Sequence, residues 1–460
     1  MQIKNKYVKI NGGVVLHMIP SGVALLSNRP DKNSGRRVSL GYANGTAAKF
    51  LLKCDGSKTA ETVIKEVHNE QHEDLTIENL MKNLAFFKKA EEQGHVDLLK
   101  KPLATNLETK VSGTPNFFVP VETVVELTYN CPFKCKHCYA EASPEQHDMI
   151  PTEKLLEKLE ELRVLGVYTV ELTGGEAMVH KDFTKILKFC VERFTLVSVL
   201  TNCFTLTNET EQVMKQYADK LIVSISLHSS TKEYHDWFTE YLGAFDTVIK
   251  NIKRIVACGV KTVRISTAVT PKNVYDIENI IKLARDLGAT VFTHTPVMEL
   301  GRAKNEPLVL TPEEAEKMIL HINGLNDKYS DFIQIVEEHM VTHVSKYGCG
   351  AGVRSMVIDP LGNIRPCTML PTSYFSTGNL FTDKVEDLFN GPTIDWLKQL
   401  KPPRDEVCWD CKYRLYCKNC IVRGITKWEK VLDDCRWARA NDLEKWISSP
   451  VTEINKTGGK

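Results

Sequence analysis

Cysteine placement constrains this chain more than any other feature of its sequence. Ten of its 14 cysteines form two groups. Three lie within eight residues, at Cys131, Cys135 and Cys138, and seven lie between Cys349 and Cys435. Clustered cysteines in a chain without a secretory signal are typical of metal binding, because disulfides are rare in reducing compartments. We therefore expect two metal-holding regions.

Composition otherwise resembles that of an ordinary globular protein. The 460 residues are 42% hydrophobic and 25% charged, with a formal net charge of +1. This charge gives no argument for nucleic acid or an anionic membrane as a partner. The N-terminal sequence MQIKNKYVKINGG lacks an apolar signal core, and no apolar run is long enough to span a bilayer. We expect a cytoplasmic protein with neither partner.

Pattern changes along the chain predict its domain organisation. In the first domain, short strand-like runs precede three helical runs, which suggests a winged helix-turn-helix shape. Asn44 or Thr46 and Thr59 are predicted helix caps. The predicted segments are a small domain at 1–100, a linker at 101–118, an alternating βα region at 119–310, a helical bridge at 311–345, a cysteine-rich domain at 346–445 and a disordered tail at 446–460.

The alternating region determines the predicted fold class. Six β-rich runs alternate with helical segments, which implies a parallel sheet curved into a partial or full barrel. The expected fold is α/β, with a TIM-like partial (β/α)6 barrel whose site lies at the carboxyl ends of its strands. The predicted strands cover 124–130, 168–174, 196–202, 221–227, 262–269 and 290–297.

The first cysteine group has the spacing C-x3-C-x2-C in the sequence CPFKCKHC, directly after the first barrel strand. A [4Fe–4S] cluster normally takes four thiolates. Three cysteines leave one iron open to chelate the amine and carboxylate of a methionine-type amino acid. The alternative is a zinc site completed by His137. Joint coordination by the adjacent His137 and Cys138 would be strained.

The three-cysteine loop resembles that of the radical S-adenosylmethionine (SAM) superfamily. In that family the motif after strand two binds the SAM amino group, and later strand ends contact the ribose and carboxylate. Arg264 would pair with the carboxylate, and the alternative for it is a surface ion pair. By this resemblance the SAM-binding residues are Gly174, Gly175, Glu176, Thr201, Asn202, Ser224, Ser226, Arg264 and Ser266. Close approach of the bound amino acid would explain the two glycines.

The second cysteine group contains a G-x4-C element ending at Cys367 and a C-x2-C-x5-C-x2-C run. Seven thiolates exceed the needs of a zinc ribbon, and two iron–sulfur clusters account for them. The pattern resembles the SPASM domain. The resemblance implies a distal cluster on Cys408, Cys411, Cys417 and Cys435, and a proximal cluster on Cys349, Cys367 and Cys420. The proximal cluster would then keep an open iron that a substrate cysteine could fill. With the barrel loop, this makes three [4Fe–4S] clusters.

The N-terminal run NGTAAKFLLKCDGSKTAETVIKEV resembles the leader-peptide recognition domain of enzymes that mature ribosomally made peptides. In that family the leader adds as a strand to a sheet edge. A DNA-binding winged helix is the alternative. Residues 1–100 carry 15 Lys/Arg against 11 Asp/Glu, a weak excess with no basic run on a recognition helix.

Together these parts resemble the sactipeptide maturases. The resemblance implies a radical enzyme that joins cysteine sulfur to a backbone carbon of a cysteine-containing precursor peptide with a leader. It also implies an electron donor such as flavodoxin or ferredoxin. His228, His294 and Glu299 lie near strand ends and are predicted to be structural, so no catalytic residue is assigned beyond the cluster.

Three alternatives stay open. Another radical peptide modification would form a β- or γ-carbon thioether, a carbon–carbon crosslink or an epimer. A sulfatase-maturase-like enzyme would share the barrel and the SPASM domain. A zinc-stabilised DNA-binding regulator would contain zinc and no iron or sulfide, and its DNA binding would depend on salt.

Overall fold

The computed structural model describes residues 3–27, 39–103, 109–333, 350–431 and 434–444. Cys349 and the predicted tail at 446–460 lie outside these ranges. The chain forms two compact units, one of residues 1–119 with 164–166 and the other of residues 120–163 with 167–460. Each is described by itself, and the six-segment division made from the sequence stays a prediction.

The first unit contains two small sheets and three helices around a core that includes Phe50, Ile64 and Phe87. Asn44, Thr59 and Thr76 cap the first turns of the helices with their side-chain oxygens. The elements are β1 (Tyr7–Ile10), β2 (Val14–Ile19), β3 (Gly22–Ser27), β4 (Ser39–Asn44), α1 (Gly45–Leu52), β5 (Asp55–Thr59), α2 (Ala60–Glu70), α3 (Ile77–Glu92), β6 (Val96–Leu99) and β7 (Val111–Gly113).

Two strands of the first unit differ from the sequence-based expectation. β5 pairs antiparallel with β1, although its sequence DGSKT predicts a turn. β7 lies in the predicted linker and pairs parallel with β2. Both strands are short and polar, so hydrogen bonding to a distant strand stabilises them more than their own side chains do. The winged helix-turn-helix shape stays a prediction.

The second unit contains all six predicted βα repeats. The strands lie in chain order in a parallel sheet, β13-β12-β11-β10-β9-β8. The elements are β8 (Glu122–Glu126), α4 (Thr152–Leu165), β9 (Thr169–Thr173), α5 (Phe183–Arg193), β10 (Leu196–Thr201), α6 (Asn208–Gln216), β11 (Leu221–Ser226), α7 (Lys232–Thr239), α8 (Ala244–Ala257), β12 (Thr262–Val269), α9 (Ile277–Asp286) and β13 (Val291–Pro296). The predicted α/β class with a large parallel sheet is confirmed.

The cysteine-rich region continues this sheet. β14 pairs parallel with β8, and β15 and β16 follow as antiparallel neighbours. The remaining elements are α10 (Pro312–Lys328), β14 (Ser355–Ile358), β15 (Asn363–Arg365), α11 (Thr372–Phe375), β16 (Gly378–Asn379), α12 (Val385–Phe389), α13 (Pro392–Gln399), α14 (Asp405–Cys408), α15 (Arg414–Cys417), α16 (Ile421–Val431) and α17 (Arg436–Ala440). None of the described helices is long and apolar enough to cross a membrane.

Candidate iron–sulfur and SAM site

The first cysteine group lies in the loop that follows β8, as the sequence predicts. Cys131 is buried, while Cys135 and Cys138 are half-buried. The Cys138 amide donates to the Cys135 carbonyl at 3.1 Å and closes the loop. Burial first, and then the nearby Glu176 and Cys138, raise the pKa of the Cys131 thiol to about 12. The pKa of Cys135 is also raised, first by burial and then by Cys138 and Cys131.

Cys131, Cys135 and Cys138 therefore lie close together. In the described ranges, no three His, Cys, Asp or Glu side chains converge tightly enough to hold a single metal ion. A [4Fe–4S] cluster binds each cysteine through a different iron, so its thiolates do not share one coordination sphere. Bound iron would also keep these buried thiols deprotonated. The loop fits such a cluster.

Glycines at the end of β9 allow close backbone contact with the loop. A Cβ at Gly174, where φ is +137°, would lie 2.3 Å from the Thr128 carbonyl oxygen, and one at Gly175 would lie 2.6 Å from that of Asn130. The Gly175 amide donates to the Thr128 carbonyl at 2.7 Å. The sequence attributes these glycines to a bound amino acid. The structure gives them another role, because they pack on the segment that leads into Cys131.

Glu176 connects the β9 and β10 strand ends to this loop. Its carboxylate is fully buried and accepts from Thr201 Oγ1 at 2.8 Å and from the Asn202 amide at 2.7 Å. Asn202 Nδ2 in turn donates to Cys131 Sγ at 3.4 Å. Burial raises the pKa of Glu176 to about 7, against the effect of these donors. Three of the predicted SAM-binding residues thus form one hydrogen-bond network, and Asn202 joins it to a predicted iron ligand.

The other predicted SAM-binding residues lie on one face of the neighbouring strands. Ser224 pairs with Arg264, and Ser226 pairs with Ser266, in the parallel register of β11 and β12. Side chains two residues apart on a strand share a face of the sheet. All four therefore lie on one face, and the fully buried Ile265 lies on the other. The strand pairing therefore brings these four residues together, as the sequence predicts.

An aromatic cluster packs against the cysteine loop, and it was not predicted from the sequence. The His137 ring stacks on Phe238 with centroids 4.6 Å apart, and it meets the His228 ring edge-on at 5.0 Å. The Lys136 amide also donates to the Phe238 carbonyl at 3.0 Å. Burial lowers the pKa of His137 to about 4, so the ring is neutral. The histidine following β11 was the only sequence signal.

The second cysteine group brings four predicted distal ligands together. Burial raises the pKa of Cys417, and Cys411, Cys435 and Cys408 raise it further. The Cys420 amide donates to the Cys417 carbonyl at 3.1 Å. The assignment of Cys420 to the proximal cluster stays a prediction. The predicted proximal ligands Cys367 and Cys420 pack against one hydrophobic cluster that includes Trp437, and so do the predicted distal ligands Cys408 and Cys435.

A buried ion pair connects the two cysteine regions. Arg365 Nη2 donates to both carboxylate oxygens of Glu126 at 2.7 Å. Tyr129 and Tyr139 donate their hydroxyls to the same carboxylate at 2.8 Å. Glu126 ends β8, and Arg365 ends β15 two residues before Cys367. Four side chains thus join the strand before the first cysteine loop to the strand before Cys367.

Comparison with known proteins shows the family to which this chain belongs. Residues 125–284 match the Radical SAM superfamily, and residues 349–412 match SPASM, an iron-sulfur cluster-binding domain. The antilisterial bacteriocin subtilosin biosynthesis protein AlbA of Bacillus subtilis is 32% identical over 461 residues, covering 96% of this chain and 99% of that protein. This chain belongs to the radical SAM/SPASM peptide maturases. The predicted resemblance, enzyme class and cofactors, SAM and [4Fe–4S] clusters, are confirmed.

More distant radical SAM proteins also match most of the chain. The sporulation killing factor maturation protein SkfB of B. subtilis is 22% identical over 383 residues, which cover 82% of this chain and 87% of that protein. The structure of Streptococcus suis SuiB bound to S-adenosylmethionine superposes with a TM-score of 0.64 at 16% identity, covering 91% of this chain and 96% of SuiB. At that identity the superposition supports the fold alone.

Proposed function

We propose that this radical SAM enzyme matures a ribosomally made, cysteine-containing peptide by joining cysteine sulfur to a backbone carbon, a sactionine thioether. The observation that carries the proposal is the match to the subtilosin biosynthesis protein over 96% of this chain. The match spans both units, so it includes more than the barrel shared by all radical SAM enzymes.

In this proposal, different residues of the barrel bind the cluster and the different groups of SAM. Cys131, Cys135 and Cys138 hold the cluster that binds SAM. Glu176 accepts a hydrogen bond from the SAM amine, because its buried carboxylate lies beside Asn202, which contacts Cys131. The face shared by Ser224, Ser226, Arg264 and Ser266 binds the ribose and the carboxylate.

The cysteine-rich domain handles the sulfur and the surplus electron. When bound, SAM and the clusters supply the radical that removes the backbone hydrogen atom and the acceptor for the electron left over when the carbon–sulfur bond forms. Cys408, Cys411, Cys417 and Cys435 would hold the distal cluster. Cys349, Cys367 and Cys420 would hold the proximal one, where a peptide thiolate occupies the open iron.

The partners of the proposed reaction are a precursor peptide and a reductant. A structure of SuiB bound to its precursor peptide SuiA superposes on 91% of this chain with a TM-score of 0.63. We assign leader binding to the first unit, where a leader would add as a strand to a sheet edge. A flavodoxin or ferredoxin in the cytoplasm would supply electrons.

Coexpression with the precursor peptide tests the proposal. Each thioether removes two hydrogens from the peptide, one as a hydrogen atom and one as the thiol proton. We expect mass loss in steps of two hydrogens, fragmentation that places each bond on an α-carbon, and no loss with the Cys131→Ala variant. Bonds at β- or γ-carbons, carbon–carbon crosslinks or epimers would overturn the sactionine assignment and keep radical peptide modification.

A further inference from the structure

A short segment after β13, residues 297–306, touches both cysteine regions and is here called the strap. It lies between the two matched domains, residues 125–284 and 349–412, so neither match assigns it a role. Its sequence is VMELGRAKNE. It contains Glu299, which is predicted from the sequence to be structural, and Arg302, for which the sequence predicts no role.

Arg302 holds the three-cysteine loop by three hydrogen bonds. Its Nε donates to the Cys135 carbonyl at 2.8 Å, and its Nη2 donates to the Ala142 carbonyl at 2.8 Å. Its backbone amide donates to the Cys138 carbonyl at 3.1 Å. Two of these acceptors belong to predicted iron ligands, so the positions of those ligands depend directly on this one side chain and its amide.

Gly301 makes this approach possible. Its φ is +51°, and a Cβ there would lie 2.3 Å from the Cys138 carbonyl oxygen and 2.6 Å from that of Tyr139. Both atoms are backbone and cannot rotate away. The strap therefore lies directly on the exit of the cysteine loop.

An ion pair fastens the end of the strap to the same loop. Lys136 Nζ, which lies between Cys135 and His137 in the chain, contacts Glu306 Oε1 at 3.2 Å and Glu240 Oε1 at 2.8 Å. The Lys136 side chain is 14% exposed, so water screens these contacts less than those of a surface pair.

The start of the strap contacts the distal cysteine region. Glu299 Oε2 pairs with Lys427 Nζ at 2.9 Å, and Glu299 Oε1 pairs with Lys430. The Glu299 amide also donates to Tyr416 Oη at 3.3 Å, and Tyr416 precedes Cys417. Lys427 is close enough to Cys417 to influence its ionisation. Arg302 therefore contacts the three-cysteine loop, and Glu299, three residues earlier, contacts the residues around Cys417.

We propose that the strap is a positioning element that fixes the radical-cluster loop through Gly301 and Arg302 and couples that loop to the distal cluster through Glu299. Arg302 is a positioning residue because it acts through the carbonyls of Cys135 and Cys138. The coupling is mechanical: a change at Glu299 alters how firmly the loop holds its iron, although Glu299 does not touch the loop. The proposal depends on the radical SAM assignment and not on the position of the thioether.

Iron retention tests the role of Arg302. The reconstituted full chain is challenged with an iron chelator, and the EPR spectrum of the reduced protein is recorded with and without SAM, which shifts only the signal of the cluster that binds it. For Arg302→Lys and Arg302→Gln we expect about four irons to leave roughly tenfold faster or more than in the wild type, since charged hydrogen bonds are lost. The SAM-induced shift should weaken. Arg285→Gln, which breaks an exposed pair with Asp331, is the matched control.

Glycine variants separate the close approach from backbone strain. Gly301→Ala should release iron faster, because its Cβ meets two carbonyls. Gly259→Ala is the control, since Gly259 has φ +77° and nothing within 4 Å of the added Cβ. Equal iron release by the two variants would count against the contact.

Glu299→Gln tests the coupling and stays informative even if the Arg302 variants fail to fold. We expect faster iron loss from the radical cluster and a weaker SAM-induced shift at an unchanged total of about 12 irons on reconstitution. Wild-type iron release and an unaltered EPR shift in Glu299→Gln would overturn the coupling. Wild-type iron release and an unaltered EPR shift in Arg302→Lys would overturn the positioning role of the strap. Wild-type protein with intact clusters that forms no thioether would refute the proposed function instead.

Discussion

Arg365 donates from one guanidinium nitrogen to both carboxylate oxygens of Glu126, 239 positions earlier in the chain. Both side chains are buried, with exposures of 4% and 0%. Breaking a buried pair leaves an uncompensated charge, whereas removing both charges is much less destabilising. The pair therefore specifies how β15 is placed on the barrel sheet more than it adds stability.

Arg365→Met should lower the free energy of unfolding by about 3–5 kcal/mol, because the Glu126 carboxylate loses its charge partner. The double variant Glu126→Gln/Arg365→Met should recover most of this loss. Urea unfolding of the single and double variants measures both. Arg285→Gln, at an exposed pair, should change stability by about 1 kcal/mol or less. A similarly small effect at Arg365 would contradict the buried-pair interpretation.

Glu176→Gln should weaken SAM binding roughly 10- to 100-fold, since a charge-assisted contact contributes about 1.5–3 kcal/mol. Equilibrium binding of SAM to the reconstituted protein provides the measurement. Glu209→Gln, an exposed change on α6, serves as the control. Equal affinity in wild type and Glu176→Gln would remove Glu176 from the SAM site.

The same carboxylate predicts a pH dependence. Burial raises the pKa of Glu176 to about 7, so in the free protein it is neutral below that pH and charged above it. The SAM amine, whose lone pair binds iron, donates its N–H more strongly to the charged carboxylate. SAM affinity should therefore rise as pH increases through about 7 and then level off, and Glu176→Gln should lack this rise. A wild-type profile that is flat between about pH 6 and 8, one unit on each side of that pKa, would be the contrary result.

Gly174→Ala should unfold the turn after β9 or displace the cysteine loop, because the added Cβ meets the Thr128 carbonyl at 2.3 Å. Strain at φ +137° adds to this clash. We expect a lower melting temperature and iron reduced by about four per chain. Gly259→Ala again reports on positive φ without a clash, and equal melting temperatures for the two would argue against close packing.

Cysteine variants test whether Cys420 is a proximal ligand, as predicted, or shares the distal cluster with Cys408, Cys411 and Cys417. Replacing Cys408, Cys411 and Cys417 together by alanine should remove about four irons and spare the other clusters. Adding Cys420→Ala should then destabilise a second cluster, because Cys420 is predicted to be a proximal ligand. If Cys420→Ala removes no further iron, Cys420 is a distal ligand. Iron and sulfide counts with SAM cleavage as the reference decide between the two.

Local patterns predict much of this fold and site. Strands of the barrel, caps such as Thr59 and the placement of Cys131 after the first strand follow from periodicity and neighbouring residues. The Glu176 network also follows, because strand ends of a parallel sheet converge on one edge. These features depend on residues close together in sequence or on a general rule of topology.

Other features depend on contacts that no local pattern encodes. Strand β14 joins the barrel through β8, and Arg302 reaches a loop 160 or more positions earlier. The close packing of Gly174 on Thr128 likewise has no local sequence signal, and its contact with SAM stays a prediction. Such contacts depend on how the elements pack together.

The pairing of β8 with β14 has a consequence for synthesis. Glu122 and Ser355 are partners in this pairing, so one edge of β8 stays open while the ribosome translates the residues between them. At a bacterial pace of 5–20 residues per second this lasts roughly 10 to 50 s. During that interval a nascent chain exposes a bare hydrogen-bonding edge directly before three reactive thiols. Chaperones that cover this edge and proteins that deliver the clusters therefore have a defined interval in which to act on the unfinished protein.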